Sequence, residues 1–140
     1  MNILFMCVAN SARSQLAEGL AKEIFGDKVW IESAGSEPKT VNPWAKKVLD
    51  EVNIDISKAY SKSYDQLSPV FIAKLDYIIT LCAEEVCPIV VSKTAKKIHW
   101  PFADPASKES LTDDEMITRF RATRDAISLQ LQKFKIESQI

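Results

Sequence analysis

The chain has 140 residues, 46% of them hydrophobic and 26% charged, with 18 basic and 19 acidic side chains. That length and mixture suit one globular domain over residues 1–140, able to bury a core without disulfide staples, and exclude intrinsic disorder, collagen and a disulfide scaffold. The net charge of −1 argues against a nucleic-acid or membrane-surface binder, and no apolar run approaches the length of a membrane span.

Residues 1–6 lack a basic leader and a small-residue cleavage site, so no signal peptide is expected and the chain is placed in the cytoplasm. Its three cysteines are then expected to be thiols. Residues 2–6, Asn-Ile-Leu-Phe-Met, form a short apolar run that predicts a buried parallel strand. Small and polar residues break the pattern from Cys7 to Arg13. Leu16, Leu20 and Ile24 then recur at four-residue spacing and predict a helix from Ser14 that stops at Gly26.

Residues 29–33 read as a second strand and 34–40 as a loop, and Pro43 opens a helix expected to run to about Val52. Residues 76–81 form the best strand of the chain and end at Cys82, as the first strand ends at Cys7. Residues 97–100 predict a fourth strand, followed by a Pro-rich loop through Pro105. From Thr112 to about Lys135 runs a long amphipathic helix with Met116, Phe120, Ile127, Leu131 and Phe134 on one face, opened by a Thr112–Glu115 capping box.

Strands alternating with helices predict an α/β domain, three layers deep, around a four-stranded parallel sheet. In such sheets the binding crevice lies beyond the carboxyl ends of the strands. Cys7, Cys82 and the loop 101–105 all lie at those ends, so three segments converge on one rim.

The segment Cys7-Val8-Ala9-Asn10-Ser11-Ala12-Arg13-Ser14 joins a strand to a helix. A loop so placed turns its backbone N–H groups on one tetrahedral anion, and the helix N-terminus adds partial positive charge. Arg13 supplies a planar fork for two oxyanion oxygens. That positive field favours Cys7 as thiolate, the reactive form, and the Ser14 hydroxyl is placed to donate to the sulfur. Asn10 suits an unusual backbone angle within the loop. Against this stands a plain reading, a buried structural cysteine followed by a solvated arginine, because a Cys-x5-Arg spacing by itself is common.

Residues 5–18, Phe-Met-Cys-Val-Ala-Asn-Ser-Ala-Arg-Ser-Gln-Leu-Ala-Glu, resemble the start of the low-molecular-weight tyrosine phosphatase superfamily, and within it the thioredoxin-coupled arsenate reductases. Further matches follow in order: Ser33-Ala34-Gly35, Asn42-Pro43, Ile54-Asp55-Ile56-Ser57, Thr80-Leu81-Cys82, Cys87-Pro88 and the run from His99 to Ala106. Ala106-Ser107 stands where the phosphatases usually carry tyrosines, which favours the reductase branch.

The resemblance implies an anion loop of Val8, Ala9, Asn10, Ser11, Ala12 and Arg13 for arsenate or phosphate, and Asp104, ahead of Pro105, as the acid that protonates a departing oxygen. Cys82 and Cys87 are too far apart for a redox Cys-x-x-Cys and have no partners for a zinc site. In the family they carry a relay: Cys7 attacks arsenate, Cys82 resolves the adduct, Cys87 takes over the disulfide, and thioredoxin reduces it. The segment 83–86 is expected to move as that disulfide closes.

No tightly bound cofactor is implied. Some members hold a potassium ion behind the loop, and the matching positions are Asn10, Glu18, Ser33 and Asp65, an oxygen-rich set that suits a hard cation; ordinary capping and loop hydrogen bonds are the competing account. Three functions are weighed on these residues: arsenate reduction, which uses all three cysteines and is the expected activity; phosphomonoester hydrolysis through a Cys7 phosphoenzyme, the alternative, which leaves Cys82 and Cys87 idle; and a phosphate-holding module without turnover, which leaves the Cys7, Arg13 and Asp104 set unexplained.

Overall fold

A computed structural model of the chain describes residues 1–83, 89–90, 92–106 and 110–140. Strand β1 spans Asn2–Cys7 and is buried at every position. Helix α1 follows at Arg13–Phe25, strand β2 at Trp30–Gly35 and helix α2 at Pro43–Asp50. A 3-10 turn at Tyr64–Gln66 leads to the short helix α3, Pro69–Ala73. Strands β3, Tyr77–Thr80, and β4, Lys96–His99, precede the long helix α4, Asp113–Glu137.

All strand pairs are parallel, and the sheet runs β2-β1-β3-β4. The chain leaves β1 toward β2 and returns to β3 on the other side of β1. The strand order therefore reverses at β1, and the crevice of the sheet opens at the carboxyl ends of β1 and β3.

Alternation along β1 divides the core. Ile3 and Phe5 face a large cluster built with Leu16 and Leu20 of α1, Val48 and Leu49 of α2, and Phe120, Ile127, Leu131 and Phe134 of α4. Leu4 and Met6 face a smaller one with Leu67, Phe71, Leu75 and Ile78. The sheet is thus the middle of three layers, with α1, α2 and α4 on one face and α3 with its flanking turns on the other. Among the described residues no helix is long and apolar enough to cross a membrane.

Local chemistry explains most boundaries. Asn42 accepts from the Trp44 N–H and Pro43 takes the first helical position, so α2 starts where Pro43 predicts. It ends at Asp50, short of Val52, because turns through Asn53, at φ 64°, bring Ile54 N–H onto the Leu49 carbonyl. Thr112 caps α4 and forms the expected box with Glu115. Of the expected apolar face of α4, Phe120, Ile127, Leu131 and Phe134 are buried and Met116 is half-buried against them.

Strand β2 starts and ends later than 29–33 predicts: Ala34 and Gly35 extend it, paired with Met6 and Cys7. Helix α3 and the 3-10 turn have no counterpart in the expected elements. Both are too short for a 3.6-residue period to register, and the only local signals are Pro69 and the Ser63–Gln66 capping box.

Candidate active site

Cys7 is the last residue of β1, 2% exposed, and a free thiol. The residues after it curl into a cradle whose shape is set from outside. The carbonyls of Val8, Ala9 and Ser11 accept the backbone N–H groups of Glu37, Lys39 and Asn42, each at 2.9 Å. In a trans peptide the C=O and the next N–H point opposite ways, so these bonds turn the Ala9, Asn10 and Ala12 N–H groups toward the cavity side. The Asn10 N–H does reach Cys7 Sγ, at 3.2 Å. Asn10 holds φ 49°, the left-handed conformation that asparagine tolerates and that the turn requires.

Gly35 seats the cradle. It pairs with Cys7 across β1 and β2, and a Cβ there meets the Val8 carbonyl oxygen and comes within 2.9 Å of the Asn10 nitrogen. Only a residue without a side chain lets the loop lie this close to β2.

Helix α1 begins at Arg13, and its N-cap, Ala12, contributes no side-chain cap. The alanine side chain places no oxygen over the first turn, and the positive end of the helix faces the cradle. Ser14 Oγ lies 2.9 Å from Cys7 Sγ and accepts from Asn10 Nδ2 at 2.8 Å. The Ser14 oxygen takes the Asn10 amide hydrogen and keeps its own hydrogen free to turn to the sulfur when Cys7 is a thiolate, which can only accept. The Asn10 amide is oriented by two further bonds, since its Oδ1 accepts from the Lys62 N–H at 3.0 Å and from Gln15 Nε2 at 3.2 Å.

Arg13 is buried and drawn toward the far wall. Its Nη1 donates to the Phe102 carbonyl at 2.9 Å, and its Nη2 lies 4.0 Å from Asp104 Oδ2. The loop carrying Asp104 is held to the end of β3 by Trp100 N–H to Thr80 O, 2.8 Å, and Phe102 N–H to Leu81 O, 3.1 Å. Asp104 Oδ1 accepts from Ala106 N–H at 2.9 Å, which leaves Oδ2 facing Arg13. His99 sits beside this loop as a strand-pairing residue, with Nδ1 2.7 Å from Thr80 Oγ1. A cavity of about 270 Å³ opens between Cys7, Arg13, Asp104 and Lys39.

The structure thus brings Cys7, Asn10, Arg13, Ser14 and Asp104 to one rim, with Val8, Ala9, Ser11 and Ala12 forming the loop between them. Cys82 is buried at the end of β3 and stands in a disulfide. Cys87 and most of the segment 83–86 lie outside the described residues.

Behind the loop, Asn10 Nδ2 donates to Ser33 Oγ at 2.9 Å and Ser33 Oγ to Glu18 Oε1 at 2.8 Å. Asp65 does not join them. It is exposed on the 3-10 turn and lines another cavity, with Met6, Gly35 and Tyr64. A buried lysine, Lys62, is there instead, beside a larger cavity of about 480 Å³ that also takes in Glu18 and Glu32.

Sequence reasoning missed Gln15, Gly35, Lys39 and Lys62. Gly35 had a signal, as one of only three glycines and the end of a strand next to the loop. Lys39 and Lys62 had none, because both stand in polar stretches that read as solvated loop.

The chain matches the low molecular weight phosphotyrosine protein phosphatase family over residues 2–139. It belongs to that family. It is 42% identical over 134 residues to an arsenate reductase of Halalkalibacterium halodurans, covering 94% of this chain and 93% of that one. A solved structure described as an arsenate reductase in the phosphate-binding state superposes with TM-score 0.76 at 28% identity, covering 97% of both chains. A thioredoxin-dependent arsenate reductase of Corynebacterium glutamicum gives TM-score 0.63 at 28% identity over 94% of this chain and 61% of that one.

Proposed function

We propose that this chain is an arsenate reductase that converts arsenate to arsenite through Cys7, Cys82 and Cys87 and is re-reduced by thioredoxin. The observation that carries the reading is the anion cradle around a buried, free Cys7, walled by Arg13 and Asp104, on a chain with a second buried cysteine, Cys82, just past its third strand. Relatives named for arsenate reduction support it, and the Corynebacterium neighbour supports thioredoxin as reductant.

In this reading arsenate enters between Arg13 and Asp104. The Arg13 fork and the inward N–H groups hold its oxygens. The Cys7 sulfur attacks arsenic, and Asp104 protonates the oxygen that leaves as water. The Cys82 thiolate then attacks Cys7 Sγ. The electron pair of the sulfur–arsenic bond passes to arsenic, arsenite departs, and a Cys7–Cys82 disulfide remains. Cys87 attacks Cys82 Sγ and releases Cys7 as thiolate, with Ser14 and the Asn10 N–H stabilising the sulfur each time it carries charge. The two electrons lost by the thiols are those gained by arsenic, and thioredoxin restores them. A free Cys7 together with a disulfide-bonded Cys82 is the arrangement that the last step leaves. The reaction belongs in the cytoplasm, where thiols are kept reduced.

Arsenate-dependent NADPH oxidation, coupled through thioredoxin and its reductase, tests the proposal. The wild type turns over continuously; Cys82→Ser and Cys87→Ser stop at or before a single turnover. Continuous reduction by either variant sinks the relay. Brisk hydrolysis of an aryl phosphate with no arsenate reduction points to a phosphatase instead. Because phosphate shares the shape and charge of arsenate, slow phosphomonoester hydrolysis accompanies the main activity.

A further inference from the structure

The family resemblance raises a potassium ion behind the anion loop, and the residues present do not fit one. Asn10 Oδ1 already accepts two hydrogen bonds, from Lys62 N–H and Gln15 Nε2. Asn10 presents Nδ2, a donor, to Ser33, and the Ser33 hydroxyl is spent on Glu18. Asp65 is exposed elsewhere. Among the described residues no cluster of His, Cys, Asp and Glu is arranged to hold a metal.

A cation is nonetheless required. Glu18 is buried, and a buried carboxylate without a partner is costly. It is also linked through Ser33 and Asn10 to Ser14 and so to the Cys7 sulfur. Uncompensated negative charge there opposes both the thiolate and an incoming oxyanion.

Lys62 meets that need. Its side chain is 7% exposed, and its Nζ lies 3.6 Å from Glu18 Oε1 and 3.7 Å from Glu32 Oε2. Lys22 also reaches Glu18, at 3.0 Å, but from a largely exposed side chain. The Lys62 backbone is pinned to the same structure, donating to Asn10 Oδ1 and accepting from the Gly35 N–H at 2.9 Å. The ammonium is a compact point charge, as an alkali ion is.

We infer that the Lys62 ammonium is the built-in cation of this site: placed between Glu18 and Glu32 behind the anion loop, it offsets the buried Glu18 charge and holds Asn10 and Ser14 on the Cys7 sulfur without a metal ion. Lys62 is a positioning residue, since it touches neither sulfur nor substrate. The inference rests on the proposed reaction only for its kinetic consequence.

The test compares wild type, Lys62→Met and Lys62→Arg in potassium chloride and in choline chloride at equal ionic strength. Melting temperature is read on reduced protein, and kcat/KM for arsenate in the thioredoxin-coupled assay. The wild type and Lys62→Arg do not distinguish the two salts. Lys62→Met loses kcat/KM on the order of tenfold in choline, the scale on which partners that orient a reactive group act. Potassium, taken up between the Glu18 and Glu32 carboxylates once the ammonium is gone, restores most of it and raises the melting temperature of that variant by about 3–5 °C.

A wild type stabilised or activated by potassium over choline overturns the inference. So does a Lys62→Met variant as active as wild type, or one whose loss potassium does not restore. Should Lys62→Met fail to fold, indifference of both wild type and Lys62→Arg to the salt supports the inference, and a potassium requirement in either refutes it. If none of the proteins reduces arsenate, the proposed function fails, and the melting temperatures still decide the role of Lys62.

Discussion

Glu18 and Glu51 each face more than one basic group, and they stand in opposite settings. Glu18 is buried under the anion loop, bonded to Ser33 and within reach of Lys22 and Lys62. Glu51, the residue that closes α2, is partly exposed and takes hydrogen bonds from Arg121 and Arg124 of α4. Arg124 also donates to the Val48 carbonyl at 2.8 Å, so two arginines of α4 hold the end of α2. The surface cluster ties two helices over a core already closed by Phe120 and Ile127. The buried cluster ties side chains from α1, β2 and the segment before the 3-10 turn to one sulfur. A break at the first is therefore read in stability, and a break at the second in chemistry.

Arg13→Lys makes the sharpest cut at the chemical side. Lysine keeps the charge and loses the planar fork that can grip two oxygens. We expect kcat/KM for arsenate to fall by roughly 10²–10³-fold, the cost of removing a preorganised oxyanion donor. A loss under about tenfold in the coupled assay means that the fork does not hold the substrate.

Gly35→Ala presses on the cradle from behind. The new methyl meets the Val8 carbonyl and the Asn10 nitrogen, both backbone atoms, so the loop must shift. Displacing reacting groups by about an ångström costs about 10²-fold. We expect a loss approaching that in kcat/KM in a protein whose circular dichroism is unchanged. Wild-type kinetics from this variant mean that the cradle tolerates displacement.

Glu51→Gln probes the other side and gives the smallest effect. Hydrogen bonds from Arg121 chiefly, helped by Arg124, lower the Glu51 pKa from 4.5 to about 2. A carboxylate with a depressed folded pKa adds stability that is fully present above its unfolded value and fades as the pH falls through the folded one. The contribution is therefore intact above about pH 4.5 and lost on the way to about pH 2. Melting curves of wild type and variant should differ modestly at neutral pH and converge in acid, with kcat/KM unchanged at neutral pH. A gap that stays constant down to pH 2 refutes the assignment.

Most of the architecture was legible in the residue order. Apolar runs at 2–6 and 76–81, Leu16-Leu20-Ile24 periodicity, Pro43 and the Thr112–Glu115 box each encode an element locally, and each element is found. Helix α3 was not legible, because five residues do not complete enough turns to show a period. Of the site, the contiguous loop and Asp104 were readable because strand, loop, arginine and hydroxyl follow one another at fixed spacing. The family position behind the loop was assigned to Asp65, three residues from the lysine that occupies the place.

By itself the sequence determined the strand order and the longer helices, the cysteine at the end of β1, and the arginine and serine on the following helix. These depend on near neighbours in the chain, whose periodicity and spacing are local properties. The tertiary structure decided what stands behind the loop. Gly35 and Lys62 reach it from β2 and from the stretch before the 3-10 turn, brought in by strand register and the packing of distant segments. A buried lysine and a solvated one look the same in a polar stretch of sequence, and only the fold places Lys62 between two carboxylates.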